Sequence, residues 1–196
     1  MRRPNKEDIT RILANHKKHC IADSLRLKPA AVLIPLFEKN DEFHILLMKR
    51  SDEVEYHKGQ ISFPGGGHDK EDLTMRDTAL REAWEEVGLK PEDAEVICEL
   101  DDCHTASSGF RVAPFVAVIP HPYPFQTNKH EVKELLDVPL SVFLNPDNYE
   151  TRSMGGSMHG GNEFFVQYQD NVIWGATARM LRHFADLLRA DEAKPG

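Results

Sequence analysis

The order of apolar and polar positions along the chain predicts a series of strands and helices. Branched and aromatic residues form short runs typical of strands, and apolar residues at intervals of three and four mark helices. The predicted strands are residues 30–37, 43–48, 95–100, 111–119 and 163–168, and the predicted helices are about 5–18, 132–143 and 175–188, with another inside 66–89. This mixed order favours an α/β fold in a single domain spanning residues 1–196.

Three local features refine this prediction. The polar residues 39–41 separate the first two strands so closely that a hairpin is expected. Pro114 cannot donate a backbone hydrogen bond, so it predicts that its strand lies at a sheet edge or contains a bulge. Residues 145–162 are rich in glycine, asparagine and serine, and they predict a loop that is either a hairpin tip or part of a substrate lid.

The helix inside 66–89 carries the most informative polar pattern of the chain. Glu82, Glu85 and Glu86 are spaced i, i+3 and i+4, so a helix places their carboxylates on one face. The apolar residues predicted to pack on the core from the opposite face are Leu80, Ala83, Trp84 and Val87. Like charges at such spacings repel by about 0.2–0.5 kcal/mol per pair. A divalent cation would relieve that repulsion, and Mg²⁺ typically combines one or two carboxylates with water and phosphate oxygens.

Glycines bound this helix on both sides. Residues 63–67 predict a turn whose glycines let the backbone approach a ligand closely, while Gly88 supplies a C-terminal signal and Pro91 prevents continuation. Together these elements predict a loop–helix–loop module. Glutamates at this spacing alone are typical of a solvated helix face, but their combination with Arg81 and the glycines favours a metal-dependent phosphate site.

At this module the sequence resembles the Nudix hydrolases, whose box reads G-x5-E-x7-R-E-U-x-E-E-x-G-U, where U is an aliphatic residue. Residues 81–89 match the second half of the box, with alanine as the first aliphatic position. In the first half, counting from Gly66 leads to Asp72 with one inserted residue before Arg81, whereas counting from Gly67 leads to Leu73, which cannot bind metal. We therefore interpret Asp72 as the outer carboxylate of the box.

The resemblance implies a fold and a set of site residues. The fold is an α/β/α sandwich with a mixed sheet, and Glu82, Glu85 and Glu86 bind Mg²⁺ or Mn²⁺ together with the carbonyl of Gly65. Arg81 orients the neighbouring glutamates by ion pairing, because its guanidinium stays protonated. The base that activates the attacking water is then either Glu82 or a carboxylate from a distant loop.

A second resemblance narrows the substrate. Residues 46–51 and 57–66 are similar to the segment that precedes the box in the coenzyme A pyrophosphatase branch of the family, and further matches extend over residues 30–188. This branch implies hydrolysis of coenzyme A or acyl-CoA to 3′,5′-ADP and 4′-phosphopantetheine or its acyl form. Other nucleoside diphosphate derivatives such as ADP-ribose stay open as substrates, and so does a non-catalytic module that senses a nucleotide.

The composition agrees with a small globular enzyme. The 196-residue chain is 40% hydrophobic and 29% charged, and its net charge of −8 argues against nucleic-acid and anionic-membrane partners. The expected partners are a small nucleotide and, at most, a second copy of the chain in a homodimer. The three cysteines lack CxxC spacing and no leader or membrane-spanning run is found, so we expect free thiols and a cytoplasmic location.

An acidic chain that binds a polyanion needs local positive charge. Arg50, Lys58 and Arg111 are candidates for that role, and Phe110 is a candidate for contact with adenine or pantetheine. His16 and His19 are spaced i, i+3 and could ligate a metal. Without a third ligand in the neighbouring sequence, a solvated surface pair is favoured.

Overall fold

The computed structural model describes residues 3–22, 27–54, 57–105, 108–153 and 162–192. Its helices are α1 (Lys6–Ala14), α2 (Met75–Val87), α3 (Leu140–Leu144) and α4 (Gly175–Glu192), with short 3₁₀ turns at Pro91–Asp93 and Pro146–Asn148. Its strands are β1 (Lys28–Lys39), β2 (Glu42–Arg50), β3 (Ile61–Ser62), β4 (Gly65–Gly67), β5 (Glu95–Glu99), β6 (Cys103–His104), β7 (Phe110–Val118), β8 (Val132–Pro139), β9 (Tyr149–Ser153), β10 (Asn162–Tyr168) and β11 (Asn171–Trp174). No described helix has the length and apolar character needed to cross a membrane.

A mixed sheet organises the fold. Strands β3, β2, β1, β7 and β5 follow one another across it, while β4 pairs with β1, β6 with β7 and β8 with β2. The central pair, β1 and β7, is parallel from Lys28 opposite Phe110 to Leu36 opposite Val118, and the other pairs are antiparallel. The predicted hairpin joins β1 to β2 through Asn40 and Asp41, which both adopt the positive φ of a tight turn. A separate sheet contains β11, β10 and β9 in that order.

Helices cover both faces of the mixed sheet. Ile34 and Leu36 of β1 face the core that α1 and α4 complete, whereas Ala31, Leu33 and Phe37 face the core that α2 completes. Because β1 is buried on both faces, its sequence is a nearly continuous apolar run and lacks polar alternation. The arrangement is the expected α/β/α sandwich, with α2 on one side of β1 and the layer formed by α1 and α4 on the other.

The helix predicted over 132–143 is wrong for most of its length. The segment is strand β8, which pairs with β2 from Val132 opposite Arg50 to Pro139 opposite His44, and only α3 is helical. Val132, Leu136 and Val138 are buried at even positions, which is the period of a strand. The pairing partner lies far away in sequence, so local spacing did not reveal it.

The loop predicted over 145–162 is also partly wrong. Residues Tyr149–Ser153 form β9, which pairs antiparallel with β10 and so belongs to a hairpin; residues 154–161 lie outside the described part of the chain. Strand β11, Asn171–Trp174, was not predicted, and it completes this small sheet. The prediction of a substrate lid stays untested.

Pro114 does not mark a sheet edge. Strand β7 lies between β1 and β5, and the irregularity in its pairing falls in β5 between Val96 and Cys98. Pro114 sits where the neighbouring chain passes from β5 to β6, and its carbonyl accepts a hydrogen bond from Leu100 at 2.9 Å. The missing N–H of the proline therefore falls at a gap between two short partner strands.

Candidate active site

Helix α2 presents the predicted glutamates at the edge of the sheet. The Thr74 hydroxyl caps its first turn by accepting from the Asp77 N–H at 3.2 Å, and Gly88 ends it with a left-handed φ of 71°. The carboxylates experience three environments: Glu86 is 2% exposed, Glu82 16% and Glu85 51%. The three carboxylates, which the spacing places on one helix face, therefore differ in exposure, and Glu86 faces the interior.

The prediction that Trp84 packs in the core is wrong, because this side chain is 48% exposed. The buried arc of α2 is centred on Ala83 and includes Ala79, Glu86 and Val87. At about 100° per residue, Glu86 lies roughly 60° from Ala83 around the helix axis and Trp84 roughly 100°. The buried arc thus reaches the glutamate before it reaches the tryptophan.

The glycines before the helix form a strand, which corrects the predicted turn over 63–67. Strand β4 pairs antiparallel with β1, with Gly65 opposite Val32 and Gly67 opposite Ala30. A Cβ atom at Gly66 would lie 2.5–2.6 Å from the Glu82 carboxylate, and one at Gly65 would lie 2.4 Å from the carbonyl oxygen of Ala31. Glycine is needed here because Glu82 and the β1 backbone both pack directly on β4.

Glu86 is buried against the start of β4. The Gly65 N–H donates to Glu86 Oε2 at 2.8 Å, and Arg50 Nη1 lies 3.7 Å from Glu86 Oε1. Burial raises the pKa of Glu86 to about 8, although the Gly65 N–H and the Arg50 charge oppose that shift. A buried carboxyl with this pKa needs either a proton or a further positive charge. The amide of Gly65 contacts this carboxylate, and the metal-binding role of its carbonyl stays a prediction.

Arg81 links four groups of the site. Its Nε and Nη2 donate to the two oxygens of Asp72, both at 2.9 Å, and its Nη1 donates to Glu82 at 2.9 Å and to Glu85 at 3.1 Å. Nη2 also donates to the Gly67 carbonyl at 3.1 Å. The hydrogen bonds from Arg81 hold the pKa of Asp72 well below its usual range even though burial opposes ionisation. Asp72 anchors Arg81, and Arg81 in turn fixes the positions of Glu82 and Glu85.

The loop between β7 and β8 adds a further carboxylate to the acidic cluster. The N–H groups of Gln126 and Asn128 donate to the last carbonyls of α2, at Val87 and Glu86, at 3.0 and 2.9 Å. The Asn128 side chain then donates to Glu131 at 3.0 Å, so the helix end fixes this loop carboxylate. Burial is the main cause of the raised pKa values of Glu82 and Glu86, and the charge of Glu131 adds to both.

Glu131 was not identified as a site residue from the sequence. The prediction allowed for a carboxylate from a distant loop, but no spacing rule connects residue 131 to the box. The loop brings it there through its contact with the end of α2 and through the Ser51 N–H, which donates to the Glu131 carbonyl at 2.8 Å.

The four predicted substrate-binding residues lie in different surroundings. Arg50 reaches Glu86, and Phe110 lies beside β4, with its Cε1 3.9 Å from the Cβ position of Gly67. Lys58 is exposed in the loop between β2 and β3, where its charge acts on Asp52. Arg111 donates to the Ile21 carbonyl at 3.2 Å and lies 4.0 Å from Asp102. The structure therefore groups Arg50 and Phe110 with the box.

The cluster has the donor chemistry of a magnesium or manganese site. Carboxylate oxygens are the ligands that these hard cations prefer, and Arg81 Nη1 bridges Glu82 and Glu85 by donating to both. A cation held by a few carboxylates keeps coordination positions for water and phosphate oxygens. The residues present thus fit a divalent-metal phosphate site, which is the chemistry of a phosphoanhydride hydrolase.

Comparison with known proteins identifies the family. The model of the NUDIX domain matches residues 27–152. An "Uncharacterized Nudix hydrolase NudL" of Enterobacter sp. (strain 638) is 36% identical over 163 residues, which cover 83% of this chain and 84% of that protein. A protein of the same description from Yersinia pestis (strain Pestoides F) is 36% identical over 156 residues, covering 80% and 77%. The chain belongs to the Nudix family, and it is a pyrophosphohydrolase of nucleoside diphosphate derivatives.

Solved structures agree on the fold. A Caenorhabditis elegans Ap4A hydrolase in a binary complex has a TM-score of 0.55 at 17% identity, covering 84% of this chain and 99% of that one. A MutT/nudix family protein from Enterococcus faecalis has a TM-score of 0.54 at 13% identity, covering 99% and 78%. At these identities the likeness concerns the fold alone.

Proposed function

We propose that the protein hydrolyses the diphosphate bond of coenzyme A or acyl-CoA, releasing 3′,5′-ADP and 4′-phosphopantetheine or its acyl form. One observation carries this proposal. The segments that resemble the coenzyme A branch, 46–51 and 57–66, run through β2 and β3 into β4, and the second includes Gly65, whose N–H donates to Glu86. The segments that carry this resemblance thus lead directly into the acidic cluster.

Glu82, Glu85 and Glu86 are the proposed ligands of Mg²⁺ or Mn²⁺, together with the Gly65 carbonyl. A divalent ion held there supplies charge neutralisation on the phosphate oxygens and lowers the pKa of a bound water. Arg81 acts as a positioning residue, because it is held by Asp72 and holds two of the glutamates in turn. Arg50 faces Glu86 and is placed to meet a phosphate oxygen.

Glu131 is the proposed base that takes the proton of the attacking water. Glu82, the other candidate, already accepts a hydrogen bond from Arg81 at 2.9 Å, so one of its carboxylate oxygens is engaged in holding that guanidinium. Glu131 comes from a loop that is fixed to the end of α2, and its charge acts on both Glu82 and Glu86. The base would therefore lie across the cleft from the helix that carries the metal ligands.

Phe110 and nearby cations are proposed to bind the nucleotide. Phe110 flanks β4, and Lys28 Nζ lies 5.9 Å from its ring centroid. An aromatic surface and a positive charge therefore occur together beside β4. Adenine stacks on aromatic rings, and the phosphates of the substrate need positive charge in a chain of net charge −8. Lys58 and Arg111 are proposed to add charge at the outer part of the cleft.

A substrate panel tests the proposal. The full-length protein is incubated with Mg²⁺ or Mn²⁺ at alkaline pH with coenzyme A, an acyl-CoA, ADP-ribose or a dinucleoside tetraphosphate, and products are identified by mass. We expect 3′,5′-ADP from coenzyme A, and ¹⁸O-labelled water identifies the phosphorus that is attacked. Preferential cleavage of ADP-ribose would contradict the coenzyme A assignment, and a panel left intact would favour the nucleotide-sensing module. Glu86→Gln serves as the inactive control.

A further inference from the structure

Three metal-binding side chains from three distant segments meet on the side of the sheet opposite α2. His16 lies just beyond the end of α1, Asp101 lies between β5 and β6, and His183 lies within α4. One ligand atom from each lies within 4.8 Å of the others. The prediction that His16 belongs to a solvated surface pair is wrong, because its side chain is 7% exposed.

We propose that His16, Asp101 and His183 form a zinc site, with His19 as the fourth ligand. His16 Nε2 lies 3.0 Å from Asp101 Oδ1, His183 Nε2 lies 3.5 Å from Asp101 Oδ2, and His19 Nδ1 lies 3.4 Å from Asp101 Oδ2. In tetrahedral zinc sites with metal–ligand distances of about 2.0–2.1 Å, ligand atoms are about 3.3 Å apart. The three distances to Asp101 bracket that value. The ligand atoms of His16, Asp101 and His183 lie within 4.8 Å of one another, and the exposed His19 side chain would turn toward them to complete the four.

One ring nitrogen of His16 and one of His183 lack the hydrogen bonds that a metal-free cluster would need. Within the described residues, His16 Nε2 and His183 Nε2 are buried and have no hydrogen-bond partner, despite their short distances to Asp101. Buried polar atoms are normally hydrogen-bonded or bound to a metal. The rings meet edge to face with centroids 5.5 Å apart, which directs both toward the same carboxylate. A cation between them would satisfy both nitrogens at once.

The backbone orients the shared carboxylate. The N–H of His19 donates to Asp101 Oδ1 at 2.8 Å, so the carboxylate is fixed by the same segment that supplies two of the histidines. Such outer contacts are a regular feature of metal sites. Nitrogen ligands combined with one carboxylate favour Zn²⁺ over Mg²⁺, which prefers oxygen alone. The site would hold the segment after α1 against α4 and the β5–β6 connection.

Zinc binding to the metal-stripped full-length protein tests the proposal. Zinc is titrated against a chromophoric chelator in excess Mg²⁺, and the bound metal is counted by elemental analysis. We expect one tight zinc ion per chain in the wild type and in Glu86→Gln, which separates this site from the acidic cluster. His183→Gln should lose it. His130→Gln is the matched control, because His130 is 88% exposed and pairs with Glu53.

A second measurement covers the case in which His183→Gln fails to fold. Zinc is added to the wild type while the histidine ring signals are followed by NMR, and the His16 and His183 signals should shift in proportion to added metal. Zinc uptake that survives in a folded His183→Gln, ring signals that do not respond, or no tight zinc in the wild type would each overturn the site. None of these results depends on the substrate of the enzyme.

Discussion

The acidic cluster at α2 and the histidine cluster beside α4 lie on opposite sides of one sheet, and they differ in how they are built. Most of the acidic cluster comes from one helix and the strand before it, and all of its candidate ligands are oxygens. The histidine cluster is assembled from three segments far apart in sequence and adds ring nitrogens. If both proposed sites bind metal, their donor atoms would favour hard cations at α2 and zinc at α4.

The clusters also differ in their built-in positive charge. Arg50 and Arg81 face the carboxylates at α2, so that cluster keeps partial compensation without any metal. At the histidine cluster, the two buried ring nitrogens lie 3.0 and 3.5 Å from the Asp101 carboxylate but have no hydrogen-bond partner within the described residues. We infer that metal loss has different effects: it stops catalysis at the first cluster and loosens the packing of the α1–α4 layer at the second.

The largest expected effect is a loss of activity that differs in kind between the proposed metal ligand Glu82 and the proposed base Glu131. Glu82→Gln should lower kcat/KM by more than about a hundredfold, since loss of outer-shell partners alone typically costs 10–100-fold. It should also raise the metal concentration needed for half-maximal rate. Glu131→Gln should lower kcat while leaving that metal requirement unchanged, because it removes a base and no ligand. Steady-state kinetics over a metal titration measures both quantities.

Two control variants accompany the comparison of Glu82→Gln with Glu131→Gln. Glu71→Gln removes the same charge from an exposed position of the module and should leave both parameters within about twofold, as exposed substitutions usually do. His183→Gln should keep its activity if the clusters are independent. A Glu131→Gln enzyme with wild-type kcat would remove that residue from the mechanism.

The next effect concerns the anchor of Arg81. Asp72→Asn should raise the metal concentration for half-maximal activity by about 10–100-fold, with the rate recovered at high metal. Asp72 also accepts from the Asp69 N–H and the Thr78 hydroxyl, but it reaches the proposed ligands through Arg81. Asp77→Asn is the matched control, since Asp77 contributes to the Thr74 cap and lies outside the Arg81 network. An Asp72→Asn enzyme whose metal dependence equals that of the control would show that Arg81 needs no anchor.

The smallest expected effect is a pH dependence of stability in metal-free protein. Burial raises the pKa of Glu86 from its ordinary 4.5 to about 8, so between these values the folded protein keeps a proton that the unfolded chain releases. The free energy of unfolding then falls as the pH rises, by about 1.4 kcal/mol per pH unit. From about pH 5.5 to about pH 7 the wild type should lose roughly 2 kcal/mol relative to Glu86→Gln.

Urea unfolding of both proteins in chelator measures this difference. Because the histidine cluster is the same in the two proteins, its own titration cancels. A difference that stays constant over this pH range would show that Glu86 is already ionised in the folded protein, contrary to the cause we assign to its pKa.

Local patterns were enough to predict what depends on neighbouring residues. The β1–β2 hairpin, helix α2 and its glycine end follow from spacing and turn chemistry, and so does the pairing of Arg81 with nearby glutamates. Strand β8 could not be predicted, because its partner β2 lies about eighty positions away in sequence. The burial of His16 depends on α4, and the place of Glu131 depends on a loop docked on a helix end. These contacts join residues that are far apart in sequence, and no helical or strand spacing relates their positions.

Trp84 and Glu86 illustrate a subtler failure. Amphipathic spacing identifies the buried side of a helix but not how far the buried arc extends in either direction. A large apolar residue was therefore assigned to the core in place of a carboxylate. The strand β4 that packs on Glu86 decides the outcome, since its Gly65 amide offers a hydrogen bond that Trp84 could not accept.

The loop that docks on the end of α2 limits how this enzyme can diversify. Gln126 and Asn128 are tied to the helix backbone, and Glu131 follows only three residues later. We expect insertions and deletions to be tolerated ahead of Gln126 and to be damaging between 128 and 131, where one extra residue would withdraw the carboxylate. New substrate preferences in descendants of this chain would then arise from changes ahead of Gln126. The segment from Asn128 to Glu131 would keep its length.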